Sequence, residues 1–100
     1  MKNFYAFFLL MIFAPEYLAE TTSNPVVLDK LSKCKDWLVR YYVAQNSDTS
    51  IKTLDYLSQD KDLWVRCGVA GNPNCSERAY KYIMGLRLLE ELNYINNNVT

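Results

Sequence analysis

Residues 31–46 are written out twice. Leu31, Ser32, Lys35, Asp36, Val39, Arg40, Val43, Ala44 and Asn46 return as Leu57, Ser58, Lys61, Asp62, Val65, Arg66, Val69, Ala70 and Asn72, always twenty-six positions on. Over the full period, residues 31–56 against 57–82, Ser50/Ser76 and Tyr56/Tyr82 raise the identities to eleven in twenty-six. A self-similar period of this length marks an array, in which a supersecondary unit too small to bury its own apolar face does so against its neighbours. Arrays of this kind mostly bind other molecules.

Composition narrows the chemistry further. The hundred residues allow one small domain with a modest core. Lys plus Arg equals Asp plus Glu at eleven each, so no broad electrostatic footprint points to nucleic acid or to an anionic membrane. Histidine is absent, which removes the commonest general base and metal ligand. The three cysteines, Cys34, Cys67 and Cys75, form no CxxC-type metal motif. They read as small apolar fillers between helices, with a disulfide as the alternative in an oxidising compartment. No Gly-rich phosphate loop and no flanking pair of carboxylates is recognisable. The expectation is a non-catalytic chain with no cofactor and no metal.

The amino terminus, Lys2 and Asn3 followed by an unbroken apolar run from Phe4 to Ala14, has the outline of a secretory signal. At eleven residues the run is well short of the roughly twenty that span a bilayer as a helix. Residues 1–20 are therefore either a signal-like leader, favouring export or membrane association through residues 4–14, or an apolar helix that caps the open end of the array inside a cytoplasmic protein. The cleavage site is poor, since ending the leader at Ala19 puts bulky Tyr17 where a small residue is wanted.

In repeat frame, a partial unit (21–30) precedes units 31–56 and 57–82. Helices are expected from Asn24 to Lys33, from Asp36 to Gln45, after Ser50, from Asp62 to Gly71, and from Glu77 to Tyr94. Asn24, Asp36, Ser50, Asp62 and Ser76 are good N-caps, and Pro25 falls at the first helical position, where its missing N–H is harmless. Val39/Val43 and Val65/Val69 form the inward stripe. Asp36/Arg40 and Asp62/Arg66, four apart, share a helix face as ion pairs. Asn46 and Asn72 close the first helices, being tolerant of the left-handed conformation and able to bond their own backbone. No Asp-Val-Arg motif follows at 88–92, so the helix over 77–94 caps the array, carrying Ala79, Tyr80, Ile83, Leu86, Leu89 and Leu92 as its apolar residues, and the Asn-rich tail 95–100 frays as a disordered end. With no alternating strand pattern the fold class is all-α.

The unit Asp36-Trp37-Leu38-Val39-Arg40, then Val43-Ala44-Gln45-Asn46 and Thr49, followed by Leu54 and Leu57, resembles the leucine-rich repeat variant family, a relative of the HEAT-like repeats. The second copy, with Trp64-Val65-Arg66, Val69-Ala70 and the turn Asn72-Pro73-Asn74, is closer. The resemblance spans Thr22 to about Ile83. It implies a right-handed superhelix of α-helices alternating with shorter, partly 3₁₀ helices, used as a binding scaffold. The period of twenty-six exceeds the family's usual twenty-four or so, and Trp37 and Trp64 are one position out of register. The separate cysteine-rich segment that holds an iron–sulfur cluster in one member has no counterpart here, so that cofactor does not carry over.

The chain thus reads as a short right-handed α-solenoid of helix pairs mediating protein–protein interaction. Candidate partner-binding residues are Trp37, Arg40, Tyr41, Tyr42, Trp64 and Arg66, and Asp36, Asp62, Asn46 and Asn72 form a structural ladder. For the arginines the structural alternative is an ion pair to an aspartate of the same or the neighbouring unit. For the tryptophans it is packing between units. A nucleic-acid-binding array, which would need a local basic face, and an exported or envelope-associated adaptor are the other functional readings. Self-association is a further expectation for so short an array.

Overall fold

The computed structural model describes residues 9, 10 and 12–98. Six bounded helices follow one another, α1 (Pro15–Thr21), α2 (Pro25–Leu31), α3 (Trp37–Gln45), α4 (Ile51–Leu57), α5 (Leu63–Ala70) and α6 (Glu77–Asn98), and no strand occurs among the described residues. The fold is all-α. Met1 to Phe8 and Met11, on which most of the leader-or-cap reading rests, lie outside the described residues. What is described is that α1 packs on α3 and contributes Leu18 and Ala19 to the core, so the folded region begins ahead of residue 21.

The helix starts follow from their caps. Oδ1 of Asn24 accepts the Val26 N–H, Oδ1 of Asp36 that of Leu38, Oγ of Ser50 that of Thr53, and Oδ1 of Asp62 those of Trp64 and Val65. Each satisfies a backbone donor that the first turn leaves without an intrahelical partner. Helices α2 and α4 are α-helical and then tighten: the Cys34 N–H donates to Leu31 and that of Asp60 to Leu57, both three residues back. The 3₁₀ helices expected to alternate with the longer ones are not formed among the described residues; only these single tightened turns follow α2 and α4.

Helices α1, α3 and α5 lie side by side in chain order, and α2 and α4 pack against them. Leu28, Val39, Val43, Leu54, Leu57, Val65 and Val69 are all fully buried. These are the positions where a 3.6-residue period turns toward one side. Dimensions of 63 × 26 × 15 Å make the molecule elongated.

Asn46 and Asn72 do more than end helices. No non-glycine residue among those described has positive φ, and Asn46 closes α3 in extended backbone, at φ −71° and ψ 125°. The expected left-handed closure is therefore replaced. Each Oδ1 accepts the N–H two residues on, Asp48 or Asn74, while each amide nitrogen reaches back across a full period. Nδ2 of Asn46 donates to the carbonyls of Ala19 and Thr22 at 2.9 and 2.8 Å. Nδ2 of Asn72 donates to Ala44 and Asn46 at 2.7 and 2.9 Å. Each Asn side chain thereby stitches one turn to the preceding one, Asn46 from extended backbone and Asn72 from just beyond Gly71, which closes α5.

The last helix departs from expectation in two ways. It continues through Asn98, past the expected end at Tyr94, because no Pro or Gly interrupts it after Gly85; the Asn98 amide also donates to the Tyr94 carbonyl at 2.7 Å. Of its apolar residues only Ala79 and Ile83 are buried, while Tyr80, Leu89 and Leu92 are exposed.

Candidate functional site

The candidate residues separate into two groups on different sides of α3 and α5. The arginines turn inward. Arg40 and Arg66 are 7% and 8% exposed, which is too closed for a ladder offered to a ligand. Neither pairs with the aspartate four residues before it, because Asp36 and Asp62 are occupied as N-caps. The guanidinium of Arg40 instead forks onto Asp60, Nε to Oδ2 at 2.8 Å and Nη2 to Oδ1 at 3.2 Å, and Nη1 donates to the carbonyls of Cys34 and Lys35. This bidentate geometry is available to arginine and not to lysine. Hydrogen bonding to Asp60 raises the Arg40 pKa above its ordinary value despite burial. Arg66 repeats the carbonyl contact, to Asp60 at 2.9 Å, but its carboxylate partner is Glu90 of α6, at 3.0 Å.

The aromatic residues turn the other way. Trp37 is 42% and Trp64 60% exposed. The Trp37 ring is tilted at 55° against Tyr41, with centroids 6.2 Å apart, and Tyr41 meets Tyr42 at 5.8 Å. Tyr42 is half-buried and packs against the core, so it supports the cluster from beneath. Between α3 and α5 lies a cavity of about 230 Å³ walled by Tyr41, Gln45, Trp64, Cys67, Gly68 and Gly71. Its floor depends on Gly68, where an added Cβ would come within 3.0 Å of the Ala44 Cβ, so a larger residue would push α5 away from α3. The Gln45 amide donates to the Tyr41 hydroxyl at 2.8 Å, fixing one wall. None of the lining residues is charged. Tyr41 from one unit and Trp64 from the next thus wall the same groove, with Trp37 tilted against Tyr41 beside it.

Residue type does not mark Gln45, Gly68 and Gly71 as groove residues. Their only signal is negative: Gln45/Gly71 and Tyr42/Gly68 are positions at which the two copies differ. A second hollow of about 570 Å³ is lined by the Arg40–Asp60 pair with Lys33, Cys34, Tyr56 and Lys61 among others, and of these only Arg40 is a candidate by sequence. The Lys33 ammonium lies 5.4 Å from the Tyr56 ring centroid and 3.4 Å from Asp29. The hydrogen bond donated by the Thr53 hydroxyl holds the Asp29 carboxyl below the usual carboxylate range. Burial pushes the Cys75 thiol up, with Asp55 adding to the effect.

Cys34, Cys67 and Cys75 are free thiols. Among the described residues no cluster of His, Cys, Asp and Glu is arranged to hold a metal ion, and no helix is long and apolar enough to cross a membrane. No protein family model matches the chain, and neither characterised proteins nor solved structures give a significant match.

Proposed function

We propose that this chain is a non-catalytic interaction module, a short right-handed α-solenoid of the leucine-rich repeat variant or HEAT-like kind, whose groove between α3 and α5 receives a segment of a partner protein. The observation that carries this reading is the uncharged aromatic groove itself. Tyr and Trp offer large rigid area and a polar tip at low entropic cost, the combination enriched where interfaces concentrate their binding energy. The groove also falls at positions where the two copies diverge, Tyr41 and Gln45 against Cys67 and Gly71, whereas the positions they share form caps, core and turn contacts. The twenty-six-residue period, recurring in the cap, valine and asparagine contacts, supports the solenoid.

The groove's lack of charge favours this reading over a nucleic-acid-binding array, which would need basic side chains to meet phosphates. Trp64→Ala should weaken capture of the partner from the native host by roughly tenfold or more, a hot-spot-sized loss, while leaving the melting temperature nearly unchanged because Trp64 is mostly exposed. An unchanged set of captured proteins, or strong salt-sensitive retention on DNA, would overturn the proposal.

A further inference from the structure

The far half of α6 carries an apolar face that none of the described residues covers. Ala79 and Ile83 are buried and Glu90 meets Arg66, so these residues mark the side of α6 turned toward the rest of the molecule. Stepping about 100° per residue from Ile83 puts Leu92 directly opposite, Gly85 and Leu88 within about 40° of it, and Leu89 and Ile95 within about 60°. Leu88 is 61%, Leu89 58%, Leu92 53% and Ile95 51% exposed. Together they form a patch on the order of 400 Å², within the range of the largest apolar patches on single-chain proteins, which are often functional.

We propose that this face joins two copies of the chain as an antiparallel pair of α6 helices. The spacing supports it: Gly85, Leu88, Leu92 and Ile95 recur at intervals of three, four and three, the a/d rhythm of a helix–helix seam. A two-fold axis near Glu90 sets Leu88 against the partner's Leu92, brings the two Leu89 side chains together, and sets Ile95 against the partner's Gly85. That last contact is complementary in shape, because a Cβ at Gly85 would meet nothing within 4 Å, leaving open space for a bulky side chain to enter. A two-fold interface must be self-complementary in this way. From Gly85 to Asn96 the face bears no charged residue, so like charges are not forced together across the axis. Leu88 and Leu92 lie on the opposite side of α6 from the other helices, while Ile95, at the edge of the face, also borders a hollow with Leu63 of α5.

Two patches of this size plus flanking stems bury roughly 1,000 Å², the low end for a specific interface, the class of weak and reversible association. Sedimentation equilibrium on the full chain, from about 1 to 500 µM, should show the mass rising from one chain to two. Leu88→Glu should remain a single chain throughout, with unchanged helical circular dichroism and melting temperature. Gly85→Leu should fold normally but dimerise roughly tenfold or more weakly, because it fills the space that receives Ile95. A wild-type chain that stays single, a Leu88→Glu chain that still pairs, a Gly85→Leu chain that pairs like wild type, or masses growing past two would each overturn the proposal.

Discussion

Arg40 and Arg66 occupy the same place in two copies of one stretch, yet they end in different surroundings. Arg40 lies between units and finds Asp60, itself almost wholly enclosed, as a bidentate partner. Arg66 lies at the last unit and donates a single bond to the carboxylate of Glu90, whose side chain is 54% exposed. The worth of an identical residue is therefore set by the unit that packs after it. A buried pair is strongly destabilising to break, because removing one member leaves the other charged and dry, whereas an exposed carboxylate recovers water when its partner goes.

Removing each guanidinium in turn tests this contrast most directly. Arg40→Met should lose about 3–5 kcal/mol in urea denaturation, and Arg66→Met about 1–2 kcal/mol, mostly from its carbonyl contact. Equal losses would mean that enclosure by the next unit does not govern the pair. The asparagines give the next largest difference. Asn72, 5% exposed, joins two complete units, while Asn46 joins the first complete unit to the end of the shorter α1. Asn72→Ala should cost about 2–3 kcal/mol and Asn46→Ala about 1–2 kcal/mol, read from the same transitions. A reversal of that order would place the weaker seam at the other end.

The smallest effect concerns acid. Asp29 is held below the ordinary 3.8 by Thr53 and Lys33, so the unfolded chain takes up the proton first and the native state is favoured while the carboxylate is charged. That contribution is complete above the ordinary value and disappears as pH falls through the lower, folded one. The melting-temperature advantage of wild type over Asp29→Asn should accordingly be constant near neutrality and shrink below pH 3.8. An advantage that persists unchanged in acid would show that Asp29 acts only by shape.

Much of the fold is legible in the sequence for local reasons. Cap residues, the valine stripe and the helix starts depend on neighbours one to four positions away, and short-range spacing records them. The partner of Arg40 is not recorded in that way. Asp36, four residues before it, is the obvious candidate, but a cap oxygen already bonded to an amide N–H is turned away from the helix side, and Asp60 arrives only because the chain folds back after α4. The groove is legible in part: Tyr41 and Trp64 announce themselves by type, while Gly68 and Gly71 contribute by lacking side chains. The far half of α6 reads in sequence as covered surface, yet it is exposed, because a leucine-rich periodicity looks the same whether or not anything packs against it.

The asparagine stitch also carries a direction. The amides of Asn46, Asn72 and Asn74, and the hydroxyls of Thr53 and Ser76, all donate to acceptors 21–28 residues earlier in the chain. Domains are made amino terminus first, at about 5–20 residues per second. During synthesis each new turn of this protein therefore emerges to find its acceptors already present. The forward-reaching arginines are the exception: each waits for a carboxylate twenty or more residues downstream, so that Arg40 and Arg66 are secured only when the following unit or the final helix has left the ribosome.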